Sequence, residues 1–200
     1  TLMRSSAASD VYKRQVRNAY VKWDGKDVVE GYVITEPEYV KKYQAGATVN
    51  MYFYARLSRT PESVDVFYRD GEIRQAAEIE GAGAGMSLNY KTKAGEVIDV
   101  KIGLSYTSVE NAKLNFETEA AGLSFERALK KVTAKWEENL GRISVSGGTN
   151  ESKIKFYTGL YHVLLGRGIV SDINGAYPRN DGTVGQIEKD RHGNPKHNHY

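Results

Sequence analysis

The chain has 200 residues, of which 40% are hydrophobic and 26% charged, with a formal net charge of +3 and no cysteine. This is the composition of a soluble globular protein; it holds no apolar run long enough to span a bilayer and excludes a disulfide framework or a thiolate zinc site. Most of the positive charge sits at the start, where Arg4, Lys13 and Arg14 against Asp10 leave only +1 for the remainder, so no electrostatic argument for a nucleic-acid partner survives.

Residues 5–15 (SSAASDVYKRQ) read codon for codon as the in-frame translation of a transposase sequencing adaptor. Residues 1–15 are therefore expected to be adaptor-derived and non-native and are set aside as a tag would be; on that expectation the signal-peptide region is not present in the sequence. At the other end the chain stops at His197-Asn198-His199-Tyr200 without a closing element, as a truncated chain does.

Residues 16–107 read as strands separated by turns. Within 47–57, Val49, Met51, Phe53, Ala55 and Leu57 share one face, and Asn50, Tyr52, Tyr54 and Arg56 share the other. That period of two is the signature of a half-buried strand. Ile98, Val100, Ile102, Leu104 and Tyr106 alternate in the same way with Asp99, Lys101, Gly103 and Ser105. Shorter strands are expected at 19–23, 28–35, 63–68 and 86–90, with Asp24-Gly25 and Asp70-Gly71 as turn dipeptides. Strands joined by hairpins with no intervening helix predict an antiparallel sandwich. The glycine-rich 80–85 lacks the helix start that a phosphate loop needs, and is expected to be a plain flexible connection.

Beyond Ser108 helical spacing replaces alternation. Phe125, Leu129, Val132, Trp136, Leu140 and Ile143 recur at intervals of three or four, with Ser124 at the N-cap and Glu126 in the first turn. This helix ends near Gly141, and a break at 146–149 precedes a second helix over 150–165, carrying the row Phe156, Leu160 and Leu164. Trp136 is expected to anchor the first helix by burial. After Gly168 the chain is polar and glycine-rich. Its histidines, His192, His197 and His199, read as a solvated loop rather than a metal site, and His162 as a structural histidine on a helix.

Four ordered blocks carry a family resemblance. Residues 103–119 (GLSYTSVENAKLNFETE), 136–143 (WEENLGRI), 155–165 (KFYTGLYHVLL) and 171–177 (SDINGAY) resemble glycoside hydrolase family 92, at the end of its N-terminal domain, in its connecting helix and in its first barrel helix. The chain departs from that pattern at 166–170, which leaves subfamily and linkage preference open. The resemblance implies an antiparallel, N-terminally truncated β-sandwich followed by a connecting helix and the first helix of an incomplete (α/α)6 barrel. The expected boundaries are 16–120 for the partial sandwich, 121–148 for the connecting helix and linker, and 149–200 for the truncated start of the catalytic domain.

The same resemblance implies an exo-α-mannosidase that removes terminal mannose from mannose-containing glycans by inverting, calcium-assisted hydrolysis, in the periplasm or outside the cell. An inverting enzyme sets two carboxyl groups roughly 6.5–9.5 Å apart, and calcium takes oxygen ligands in flexible geometry. The family's acid, base and Ca2+ ligands are expected beyond Tyr200, so the fragment itself is expected to be inactive. Asp172, Asn174 and Tyr177 are candidates to face the sugar cleft, since they follow a barrel helix and offer carboxylate, amide and aromatic groups; Asn174-Gly175 is also an ordinary turn dipeptide. Other readings are a non-catalytic carbohydrate-binding sandwich, for which Tyr52 and Tyr54 supply stacking rings, and another hydrolase or phosphorylase built from a sandwich and a helical barrel.

Overall fold

The expected alternation becomes antiparallel pairing throughout. The structure is a computed structural model and describes residues 14–68, 71, 73–165 and 168–197. Residues 1–13 of the adaptor-like segment, Asp70 and His199 therefore lie outside the described residues. Arg14 and Gln15 belong to the first strand, β1 (Arg14–Trp23).

β1 pairs with β2 (Val28–Pro37), β2 with β3 (Val49–Leu57), and β3 with β8 (Val100–Ser105); β6 (Glu78–Glu80) closes the other side, giving the order β6-β1-β2-β3-β8. A second sheet holds β5 (Arg74–Gln75), β4 (Ser63–Tyr68) and β7 (Ala84–Asn89) in the order β5-β4-β7. A six-residue helix, α1 (Glu38–Tyr43), follows β2. The β1–β2 connection uses the expected Asp24-Gly25 turn: Asp24 Oδ1 accepts from the Lys26 and Val28 amides at 2.8 and 3.0 Å, and Gly25 takes a φ of 87°. The glycine-rich stretch is a tight turn instead of a loose connection. Gly81 exchanges two backbone hydrogen bonds with Ala19, and Gly83 sits at φ 79°, where a side chain would be strained.

The two faces of the large sheet meet different partners. On the inner face Val29, Ala55 and Leu57 form a buried cluster with Val21, Trp23 and Phe53, against Met86 and Leu88 of β7. On the outer face lies α2 (Val109–Glu119), a helix that the sequence pattern left undivided from the sandwich. Its Ala112 and Phe116 pack with Val28 and Tyr54, and the Tyr54 and Phe116 rings stand 5.3 Å apart. Tyr54 is thereby buried and removed from any role as an exposed stacking ring. The close approach of α2 requires Gly103, since a Cβ there would lie 2.3 Å from the Ala112 carbonyl oxygen and 2.5 Å from Phe116 Cβ. Beyond the helix, Tyr20, Tyr32 and Tyr52 stand opposite one another on β1, β2 and β3, with ring centroids 5.7 and 6.0 Å apart.

The two predicted helices form where expected. α3 (Phe125–Leu140) starts at Ser124, whose hydroxyl accepts from the Arg127 amide at 3.3 Å, and ends at Gly141; α4 covers Asn150–Leu165. Neither buries a residue. Trp136 leans on Tyr161 of α4 at 4.7 Å, so it joins the two helices to each other and not to the sandwich core. β9 (Ala176–Pro178) and β10 (Val184–Gln186) then make a small hairpin within the polar C-terminal stretch. Among the described residues no helix is long and apolar enough to cross a membrane.

Candidate functional site

Polar side chains converge where β8 runs into α2. Ser108 caps α2, its hydroxyl accepting from the Asn111 amide at 3.1 Å. At that end the Glu110 carboxyl is held below the usual glutamate range, first by its own backbone N–H and then by the Ser108 hydroxyl. Four residues apart on the helix, Asn111 and Asn115 share one side, which places both amides over the stretch that follows α4.

Asp172 lies at the centre. Its Oδ2 accepts from Ser105 Oγ at 2.9 Å and Thr107 Oγ1 at 2.5 Å, and its Oδ1 accepts from Asn115 Nδ2 at 2.7 Å. Asn115 also donates to the Leu104 carbonyl at 2.8 Å and accepts from the Ile173 amide at 2.9 Å. The 172–176 turn closes on itself through Asp172 N to Ala176 O and Gly175 N to Asp172 O, at 2.8 and 2.7 Å. Such a set of mutually satisfied groups is what a buried polar cluster requires.

The three cleft candidates fall together on this turn but have different surroundings. Asp172 is buried against the sandwich. Asn174 is exposed, with Oδ1 accepting from the Ala176 amide at 3.0 Å, the geometry of an Asx turn, and Nδ2 donating to Asn111 Oδ1 at 2.9 Å. Tyr177 lies on β9 with its ring over Gly185 of β10, where a Cβ would come within 2.4 Å of the ring. Ser105, Thr107, Asn111 and Asn115 were not singled out from sequence as partners of Asp172.

Beside the cluster runs a groove of about 360 Å³, lined by Met51, Leu104, Tyr106, Glu119, Ile169 and His197 among others. Ser171 Oγ and His197 Nδ1 are 2.9 Å apart on its wall. His192 turns elsewhere and accepts from Arg191 Nε at 3.1 Å. Among the described residues no three His, Asp or Glu side chains are placed to hold a metal. Asp172, the buried carboxylate of this region, already meets three protein donors, so the donor set here does not make a calcium site.

A two-layer antiparallel sandwich whose edge strand leads through a packed helix into a helical segment is the architecture of a two-part, sandwich-and-helix protein. Family models assign its two parts in order: the glycosyl hydrolase family 92 N-terminal domain matches residues 3–105, and the glycosyl hydrolase family 92 catalytic domain matches residues 111–198. The chain belongs to glycoside hydrolase family 92. Solved structures show the same fold. One is a family GH92 alpha-mannosidase from Bacteroides thetaiotaomicron, at 24% identity and a TM-score of 0.76, covering 88% of this chain and 23% of that one. The same enzyme in complex with mannoimidazole matches equally. A family GH92 inverting mannosidase from Bacteroides thetaiotaomicron VPI-5482 matches at 22% identity and a TM-score of 0.76, covering 87% of this chain and 24% of that one. The chain thus spans about a quarter of the length of these solved relatives. No curated protein matches it.

Proposed function

We propose that this chain is the sandwich and the opening of the catalytic domain of a glycoside hydrolase that removes terminal mannose from α-mannosides. The observation that supports this most is the ordered match to both domain types of one family across a junction that the structure fastens with a buried polar cluster. Mannosidases among the structural neighbours point to the same substrate class.

On this reading the protein inverts the anomeric centre with calcium assistance and works in the periplasm or outside the cell. The described residues contribute scaffold rather than reacting groups. Acid, base and calcium ligands come from the larger part of the family's length that this chain does not span. When bound, calcium would take sugar hydroxyl oxygens as ligands and so orient the sugar.

The test uses the full-length protein that carries this sequence. Expected outcomes are hydrolysis of an aryl α-mannoside, first release of the β-anomer by NMR, loss of turnover on chelation and recovery with Ca2+, and no turnover by the 200-residue chain alone. Absence of α-mannoside hydrolysis would overturn the reading, and first release of the α-anomer would overturn its inverting part.

A second reading, a glycan-binding sandwich, is favoured by the Tyr20–Tyr32–Tyr52 row on the sheet face beyond α2. It predicts retention of the 200-residue chain on immobilised mannan, abolished by Tyr32→Ala.

A further inference from the structure

We propose that Asp172 is a positioning residue, the latch that fixes the stretch after α4 to the sandwich and so sets the place of Ser171 and His197 in the groove. The inference concerns attachment and does not rest on the mannosidase reading.

Burial is the first reason. Four polar or charged residues are buried among the described ones, and three of them, Ser105, Asn115 and Asp172, meet in this one cluster. The exception, Glu36, pairs with Arg17 within the β1–β2 ladder. The fold thus removes polar groups from water mainly where the two family-matched parts meet, at a cost it recovers only while every partner is in place.

Hydrogen-bond direction is the second. Ser105 Oγ accepts from the Thr107 amide at 2.9 Å and is reached by the Ser108 amide at 3.4 Å, and Thr107 Oγ1 accepts from Asn111 Nδ2 at 2.7 Å. The two hydroxyls also lie 3.0 Å from each other, where either can donate, so their protons are shared between this mutual bond and Asp172 Oδ2, while Asn115 Nδ2 can only donate. A carboxylate at 172 serves both sides at once, one oxygen accepting from the hydroxyl pair and the other from the Asn115 amide. Asparagine has the same shape but one acceptor oxygen in place of two, so either the Asn115 amide or the hydroxyl pair loses its acceptor and must reorganise.

Topology is the third. Between the cluster's two halves the chain runs through α3 and α4, which bury no residue and so do not hold the C-terminal stretch to the sandwich. Among the described residues, the polar ties beyond Asp172 are the adjacent Ile173 amide, the exposed Asn174–Asn111 pair and Gln44 Nε2 to the Asn180 carbonyl at 3.3 Å. Ser171, next in sequence to Asp172, holds His197 Nδ1, so a shift of the turn moves the imidazole with it.

Amide exchange by mass spectrometry on the 200-residue chain tests this, with Asp172→Asn and the milder Ser105→Ala. Peptides covering 168–178 and 187–197 are expected to exchange roughly ten-fold faster or more in Asp172→Asn, and by a smaller factor in Ser105→Ala. Peptides from β1 to β3 should keep their protection in Ser105→Ala, and the His197 ring resonances, assigned with His197→Gln, should move toward those of a solvated histidine in both variants. If Asp172→Asn unfolds the whole chain, local release in Ser105→Ala still supports the latch. Unchanged exchange at 168–178 in both variants overturns it, as does a uniform loss across the sandwich in both.

Discussion

Strand β3 and helix α3 both gather apolar side chains onto one side, yet Ala55 and Leu57 are 5% and 3% exposed while Phe125 and Leu129 stand at 68% and 56%. The strand's face meets a second sheet, and the helix's stripe meets little but the rim of α4 around Trp136 and Tyr161. Periodicity therefore marks a face but not a partner. Edge strand β8 makes the same point within one sheet: Gly103 and Ser105 on its outer side are engaged by α2 and Asp172, while Val100, Ile102 and Leu104 on its inner side remain about half exposed.

Two substitutions give this contrast its sharpest form. Phe116→Ala removes a ring packed on Tyr54 in the outer core and should cost about 3–5 kcal/mol in denaturant unfolding. Phe125→Ala, an equal loss of atoms from the exposed stripe, should change that transition by no more than about 0.5 kcal/mol. Equal effects would break the comparison. Gly103→Ala comes next. Its methyl would press on the backbone of α2, which cannot rotate away, and should cost about 1–3 kcal/mol in the same measurement.

The elements legible in sequence were those whose burial is periodic. Alternation located β3 and β8 to within two residues, and Ser124, Gly141 and the three-four spacing located α3. Helix α2 was harder because its buried side carries Asn115 between Ala112 and Phe116, so a polar residue interrupts the stripe that would announce it. Hairpin β9–β10 hid for a different reason: its buried residues, Ala176 and Gly185, are small and leave no hydrophobic pattern. Asp172 was noticed for its position and chemistry, but its partners lie 57 to 67 residues upstream, and no local rule connects groups at that separation. The Asn111–Asn115 spacing after a capping serine was a usable hint that one side of α2 is polar, without saying toward what.

The helical region offers a smaller, more local prediction. Trp136→Ala removes the aromatic contact with Tyr161 and should loosen the α3–α4 pair by about 0.5–1.5 kcal/mol, read as lost helical circular dichroism at elevated temperature. Because that contact does not reach the sheets, near-ultraviolet signals of the sandwich tyrosines should persist. Their joint loss would show that the two regions unfold as one unit.

The smallest expected effect lies back on the sheet. Burial, followed by the hydrogen bond to Glu78 at 2.7 Å, pushes the Tyr20 phenol up from 10.0 to about 12. Between those values the unfolded chain has released this proton while the folded chain keeps it, so the unfolded state binds fewer protons and stability falls as pH rises. The contribution is complete below pH 10.0, the ordinary tyrosine value, and is lost as pH climbs toward about 12. Tyr20→Phe keeps the ring beside Tyr32 but has no proton to release, so its melting temperature should decline less steeply across that window than the parent chain's. Equal slopes would show that the phenol is as solvated in the fold as in the unfolded chain, and that the outer sheet face, like the stripe on α3, is patterned without being covered.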